Sequence, residues 1–144
     1  MRRSHIACAA ILAVSLAGSA RAEEPVEKIS VDVKFATQLD DRKPVDPGTA
    51  FQPGKLYCWT RVKGGSGEFR LVHVWLRDDR VVWRQPVRVR GRSWVTWSYH
   101  NVTPGHWKVQ IEDTDGGVIS QGSFTVAAPA RASTDANAPD VTCL

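Results

Sequence analysis

Cysteine, histidine and long apolar runs are all scarce in this chain of 144 residues, and each scarcity excludes something. Three cysteines cannot build the disulfide framework of a small cysteine-rich scaffold, nor a four-thiolate zinc site. His73, His100 and His106 show no H-x-H or H-x-x-x-H spacing, so zinc has no sequence signature. The carboxylates Asp40, Asp41 and Asp46, and the group Glu112, Asp113 and Asp115, lack the spacing of a calcium-binding EF-hand loop. The longest apolar run, Ile6 to Gly18, is shorter than the roughly twenty residues a stable membrane span requires. No window places apolar residues at i, i+3, i+4 and i+7 over a helical length, and no glycine-rich phosphate loop therefore opens a helix. The sequence predicts no cofactor, no metal site and no catalytic set, and the expectation is a protein that is not an enzyme.

What is present begins with an address. Arg2 and Arg3 precede the apolar run, and Ser19-Ala20-Arg21-Ala22 then gives way to Glu23-Glu24. A short basic segment, an apolar core and a small-x-small site form the pattern of a cleaved secretory signal. Residues 1–22 are expected to be that signal, residues 23–126 the folded domain and residues 127–144 a disordered tail rich in Ala, Pro, Ser, Thr and Asp. The protein is expected to be exported, to the periplasm or beyond.

Removing the signal changes the charge argument. Of 19 basic residues three lie in residues 1–22, leaving 16 against 15 acidic ones and a net charge of +1. A nearly neutral domain argues against a nucleic-acid partner. The remaining asymmetry is local: Arg61 to Arg92 holds nine basic and three acidic residues. Arginines on the solvent face of strands are the default reading, and an anion-binding face is the alternative. Cys58 and Cys143 survive signal removal as candidates for a disulfide, with a buried free Cys58 as the alternative.

Alternation and turn residues divide the domain into strands. Val31 to Leu39, Leu56 to Val62, Phe69 to Arg77, Val81 to Val89, Ser93 to His100, Trp107 to Asp113 and Val118 to Val126 make seven. Asp40 to Gly48 is expected as a loop with two prolines, Asp78-Asp79 as a turn, and Thr114-Asp115-Gly116-Gly117 as the strongest hairpin signal. Seven strands with frequent turns predict an all-β, immunoglobulin-like antiparallel sandwich, with a small barrel as the alternative.

Six tryptophans in so small a domain are the next clue. Trp107, with Val109 and Ile111, and Trp83, with Val81, Val87 and Val89, are expected in the core. In the third strand Val72, Val74 and Leu76 form the expected inward set, leaving His73, Trp75 and Arg77 outward. In the second, Leu56, Cys58, Thr60 and Val62 point inward and Tyr57, Trp59 and Arg61 outward. The fifth strand is ambiguous, with Val95, Trp97 and Tyr99 on one side and Trp94, Thr96, Ser98 and His100 on the other. If the second and fifth strands adjoin, Tyr57, Trp59, Trp94 and His100 would make an aromatic platform suited to sugar rings, peptides or a partner surface.

The turns and rings together resemble a bacterial family, domain of unknown function 2914. The residues that carry the resemblance are Asp41-Arg42-Lys43-Pro44-Val45-Asp46, Phe51, Gly54, His73-Val74-Trp75, Ser93-Trp94-Val95-Thr96-Trp97-Ser98, Gly105-His106-Trp107-Lys108-Val109, Asp113, Asp115, Gly116 and Phe124-Thr125-Val126. The resemblance implies an envelope-associated domain and supplies no mechanism.

The expected function is a non-catalytic binding or interaction module of the cell envelope, taking a protein or glycan through Trp59, His73, Trp75, Arg77 and Trp94. The alternatives are a purely structural domain, or an enzyme acting on envelope polysaccharide with carboxylates from the Asp40–Asp46 loop and the Asp113–Asp115 turn. Oligomeric state has no sequence signal.

Overall fold

β-Branched and aromatic residues in period-two runs, separated by glycine and aspartate turns, give strands rather than helices. The computed structural model describes residues 28–130, and these hold ten strands and no helix. The signal, residues 131–144 of the tail and Cys143 lie outside the described residues, so the expectations attached to them lie there too.

Seven strands are long: β1 (Ser30–Ala36), β5 (Gly54–Lys63), β6 (Glu68–Arg77), β7 (Arg80–Arg90), β8 (Ser93–Val102), β9 (Gly105–Glu112) and β10 (Val118–Val126). Three are short: β2 (Gln38–Asp40), β3 (Lys43–Val45) and β4 (Ala50–Phe51). One sheet runs β1-β5-β8, the other β4-β10-β9-β6-β7, and β2-β3 is a separate hairpin. Only the β4–β10 pair is parallel. The sheets stay open and pack face to face, as the predicted sandwich requires.

The segment expected as a loop after Leu39 instead contains the β2–β3 hairpin, turning through Asp41 (φ 42°) and Arg42 (φ 60°). Asp78 (φ 49°) and Asp79 (φ 62°) make the same kind of reversal between β6 and β7. Aspartate tolerates this left-handed conformation better than most residues, which is why two-residue hairpins form here without glycine. The Thr114–Gly117 signal gives a looser turn, in which Asp113 Oδ1 accepts the amides of Asp115 and Gly117 at 2.9 and 2.7 Å.

Between the sheets, Trp107 stacks on Phe124 with centroids 6.0 Å apart, and Trp75 meets both edge-on. Phe35 lies 4.6 Å from Phe124 in ring centroids and presses against Gly122, where an added Cβ would meet its ring at 2.7 Å. The glycine is therefore needed for close approach. Leu56, Cys58, Thr60 and Val62 face inward, as alternation predicts, and burial pushes the Cys58 thiol pKa up. Trp107 is core, as expected.

Two assignments are overturned. In β6 the inward set is Phe69, Leu71, His73 and Trp75, and the last two are fully buried. The strand sits between β7 and β9, and its other face, Val72, Val74 and Leu76, is flanked by the long side chains of Arg84 and Gln110 at the level of Val74. Apolar residues on both sides left no contrast for alternation to report. Trp83, expected in the core, lies on the inward side of β7 but is 47% exposed, because β7 is an edge strand where the sandwich opens.

Candidate functional site

His73 bridges the two sheets through a sealed polar network. Thr60 Oγ1 donates its single proton to the Thr96 carbonyl at 3.2 Å, so at 3.3 Å it accepts from His73 Nε2–H. His73 Nδ1 then accepts the Ser98 hydroxyl at 2.8 Å, and Ser98 Oγ accepts the Trp75 indole N–H at 3.0 Å. Burial holds the His73 pKa down at about 4, so the imidazole is neutral in the Nε2–H tautomer. Among the described residues no buried side-chain polar atom lacks a partner. The second ring nitrogen meets a threonine rather than a carboxylate, so Ser98 and His73 do not form an oriented nucleophile–base pair.

The five residues singled out in the sequence do not form one surface. His73 and Trp75 are core, for the reason given by β6. Trp59 does point away from the core, yet it is 4% exposed. Its Nε1–H donates to the Arg42 carbonyl at 2.8 Å, and Lys34 and Arg61 lie over the ring at 5.8 and 5.5 Å. Arg77 is exposed 3.7 Å from Asp78, at the end of β6 remote from Glu68 and its partner Arg90. Trp94 is half-buried on the inward side of β8, packed against the core.

The anticipated platform divides in the same way. β5 and β8 do adjoin, but Trp94 and His100 share the inward face, and the outward rings of β8 are Trp97 and Tyr99. Tyr57 pairs with Tyr99 across the strands, and Trp59 with Trp97. The Lys55 ammonium lies 5.0 and 4.3 Å from the two tyrosine centroids, and its pKa is raised, chiefly by hydrogen bonding with Tyr57.

The residues that do converge lie along the open side of the sandwich, where edge strands β7 and β8 face each other. A groove of about 470 Å³ is lined there by Trp83, Gln85, Asn101 and the run Trp97 to His100. His100 forms its floor, with Trp83 stacked at 6.3 Å on one side and the buried Trp75 and Trp107 rings at 5.8 and 5.7 Å. Partial burial lowers its pKa. Trp97 is shared with a second basin of about 390 Å³, lined by Arg42, Arg88, Arg90 and Trp94 to Trp97. Neither lining includes a carboxylate, and Asp113 is engaged by its own turn. Among the described residues no group of three His, Cys, Asp or Glu side chains is placed to hold a metal ion.

Sequence reasoning missed Trp83, Gln85, Trp97, Tyr99 and Arg42. The usable signal was in β5: an inward Thr60 needs polar company across the sheet, which Ser98 and Thr96 supply only if Trp97 and Tyr99 face out.

No curated protein matches the chain. Among solved structures, one of a β-glucosidase from Kluyveromyces marxianus is similar over 72% of this chain and 15% of that one, at 10% identity and a TM-score of 0.46. Residues 68–126, from the start of β6 to the end of β10, match the family described as "Protein of unknown function (DUF2914)".

Proposed function

We propose that this protein is a non-catalytic binding module of the bacterial cell envelope that takes a glycan or a protein segment in the groove between β7 and β8. The observation that carries the reading is the exposure of two indoles, Trp83 at 47% and Trp97 at 38%, in one groove whose other groups are neutral and polar. Soluble proteins seldom leave large rings in contact with water and adjacent to one another unless something covers them. A flat ring with an amide beside it suits a sugar face or a peptide. The N-terminal signal pattern supports export.

The test is tryptophan emission, titrated with envelope glycans and candidate proteins. A ligand should shift the emission, and Trp83→Ala and Trp97→Ala should each weaken it roughly 10-fold or more while the domain stays folded. The reading fails if neither substitution alters the affinity of any ligand found.

A further inference from the structure

Arg42 sits at the centre of a cationic cluster that continues the groove. Its side chain donates to the Val95 carbonyl at 3.0 Å, its own carbonyl holds Trp59, and its guanidinium lies 5.6 and 5.8 Å from the Trp94 and Trp97 centroids. On one side lies the basin with Arg88 and Arg90. On the other lies a smaller one, of about 320 Å³, with Lys43, Arg61 and Asp41. Glu68 is the counter-charge to Arg88 and Arg90, at 3.6 and 3.5 Å, and all three side chains are more than half exposed. Ion pairs so exposed are weak, and an incoming anion competes with them readily. Five cations therefore surround two indoles, against two carboxylates, in a domain that is otherwise almost neutral.

Resting on the reading of the groove as a binding site, we infer that its ligand is an anionic glycan. Sugar rings lie against Trp83 and Trp97, and carboxylate, phosphate or sulfate groups along the same chain meet Arg42, Arg88 and Arg90. Planar guanidinium groups bind such oxyanions bidentately, and indole faces accept the C–H side of a sugar. An acidic peptide adding to a free strand edge would satisfy the charge equally well. Both edges oppose it. Thr96 turns its carbonyl toward β5, so the alternate Val95 carbonyl faces outward, where Arg42 already caps it. On β7, Pro86 offers no N–H.

The experiment compares three probes on the purified chain by calorimetry: oligogalacturonate, its fully methyl-esterified neutral form, and poly-L-glutamate. Oligogalacturonate should bind at least 10-fold more tightly than either of the others, and its affinity should fall with salt. Arg42→Gln and Arg88→Gln should each weaken it roughly 10-fold. Among the described residues Arg88 pairs with Glu68 in an exposed ion pair, so its loss leaves the fold intact should Arg42→Gln disturb the hairpin. Equal binding of the ester, still dependent on Trp83, overturns the anionic assignment and keeps the binding-module reading. Equal binding of polyglutamate overturns the glycan assignment. No binding of any probe at millimolar concentration overturns the inference, whereas the reading itself fails only if no ligand depends on Trp83 or Trp97.

Discussion

Acid should loosen this domain through a single buried imidazole. His73 is inaccessible to water, and burial lowers its pKa from 6.5 to about 4. The unfolded chain therefore binds a proton between those two values that the folded chain refuses. Stability is fully present above pH 6.5, falls as the pH drops through that window, and levels off below about pH 4. The shift of some two and a half units corresponds to about 3 kcal/mol. His73 has no carboxylate against it to offset the cost, only the hydroxyls of Thr60 and Ser98. The measurement is urea unfolding of the wild type and His73→Gln at several pH values from 7 to 4. At pH 7 the variant should be less stable by about 1–3 kcal/mol, since part of the network is unmade. Between pH 7 and 4, the wild type should lose about 3 kcal/mol more than the variant. His100, whose pKa is lowered in the same direction, titrates in both proteins and cancels in the difference. Parallel stability curves would refute the account of His73 as a neutral, buried linker between the sheets.

Two further outcomes check the packing. Gly122→Ala places a Cβ 2.7 Å from the Phe35 ring and 3.2 Å from Val33, so it should destabilise the domain by about 1–3 kcal/mol in denaturant titration, and an unchanged midpoint would mean Phe35 lies elsewhere. Trp75→Ala should cost about 3–5 kcal/mol, while Trp83→Ala should cost well under half as much; similar losses would contradict an exposed Trp83.

Much of the fold was legible because its signals are local. Asp78-Asp79, Gly91 and Gly116 punctuate the strands where β6 turns into β7, β7 into β8 and β9 into β10, and the long strands follow from alternation between such points. The inward face of β5 was equally plain, since Leu56, Cys58 and Val62 stand against Tyr57 and Arg61. β6 was not, because between Leu71 and Leu76 apolar residues fall on both faces, Leu71 and Trp75 on one and Val72, Val74 and Leu76 on the other, so its phase depends on its neighbours. The β2–β3 hairpin hid behind Pro44, which is tolerated because that two-stranded ribbon has no third strand needing its N–H. The groove was the least legible feature. It needs two strand edges to open toward each other, and the basin beside it joins Arg42 to Val95 across a separation of 53 residues, which no local pattern encodes.

The phase of β8 links the polar core to the groove. By hydrophobicity alone, Val95, Trp97 and Tyr99 are better core residues than Thr96, Ser98 and His100, yet they face outward. A slip of one residue would bury those rings and turn every side chain of the strand to the opposite face. It would also withdraw Ser98 from between Trp75 Nε1 and His73 Nδ1, leaving a buried donor and a buried acceptor unpaired. Each such loss costs about 1–3 kcal/mol, comparable to the gain from burying a large ring. Thr60 would lose the Thr96 carbonyl as well, and with it the bond that fixes the imidazole tautomer. The network therefore opposes the arrangement that apolar burial favours, a use of buried polar groups for specificity more than for strength. Trp97 and Tyr99 remain at the mouth of the sandwich because a serine and a histidine hold the places behind them.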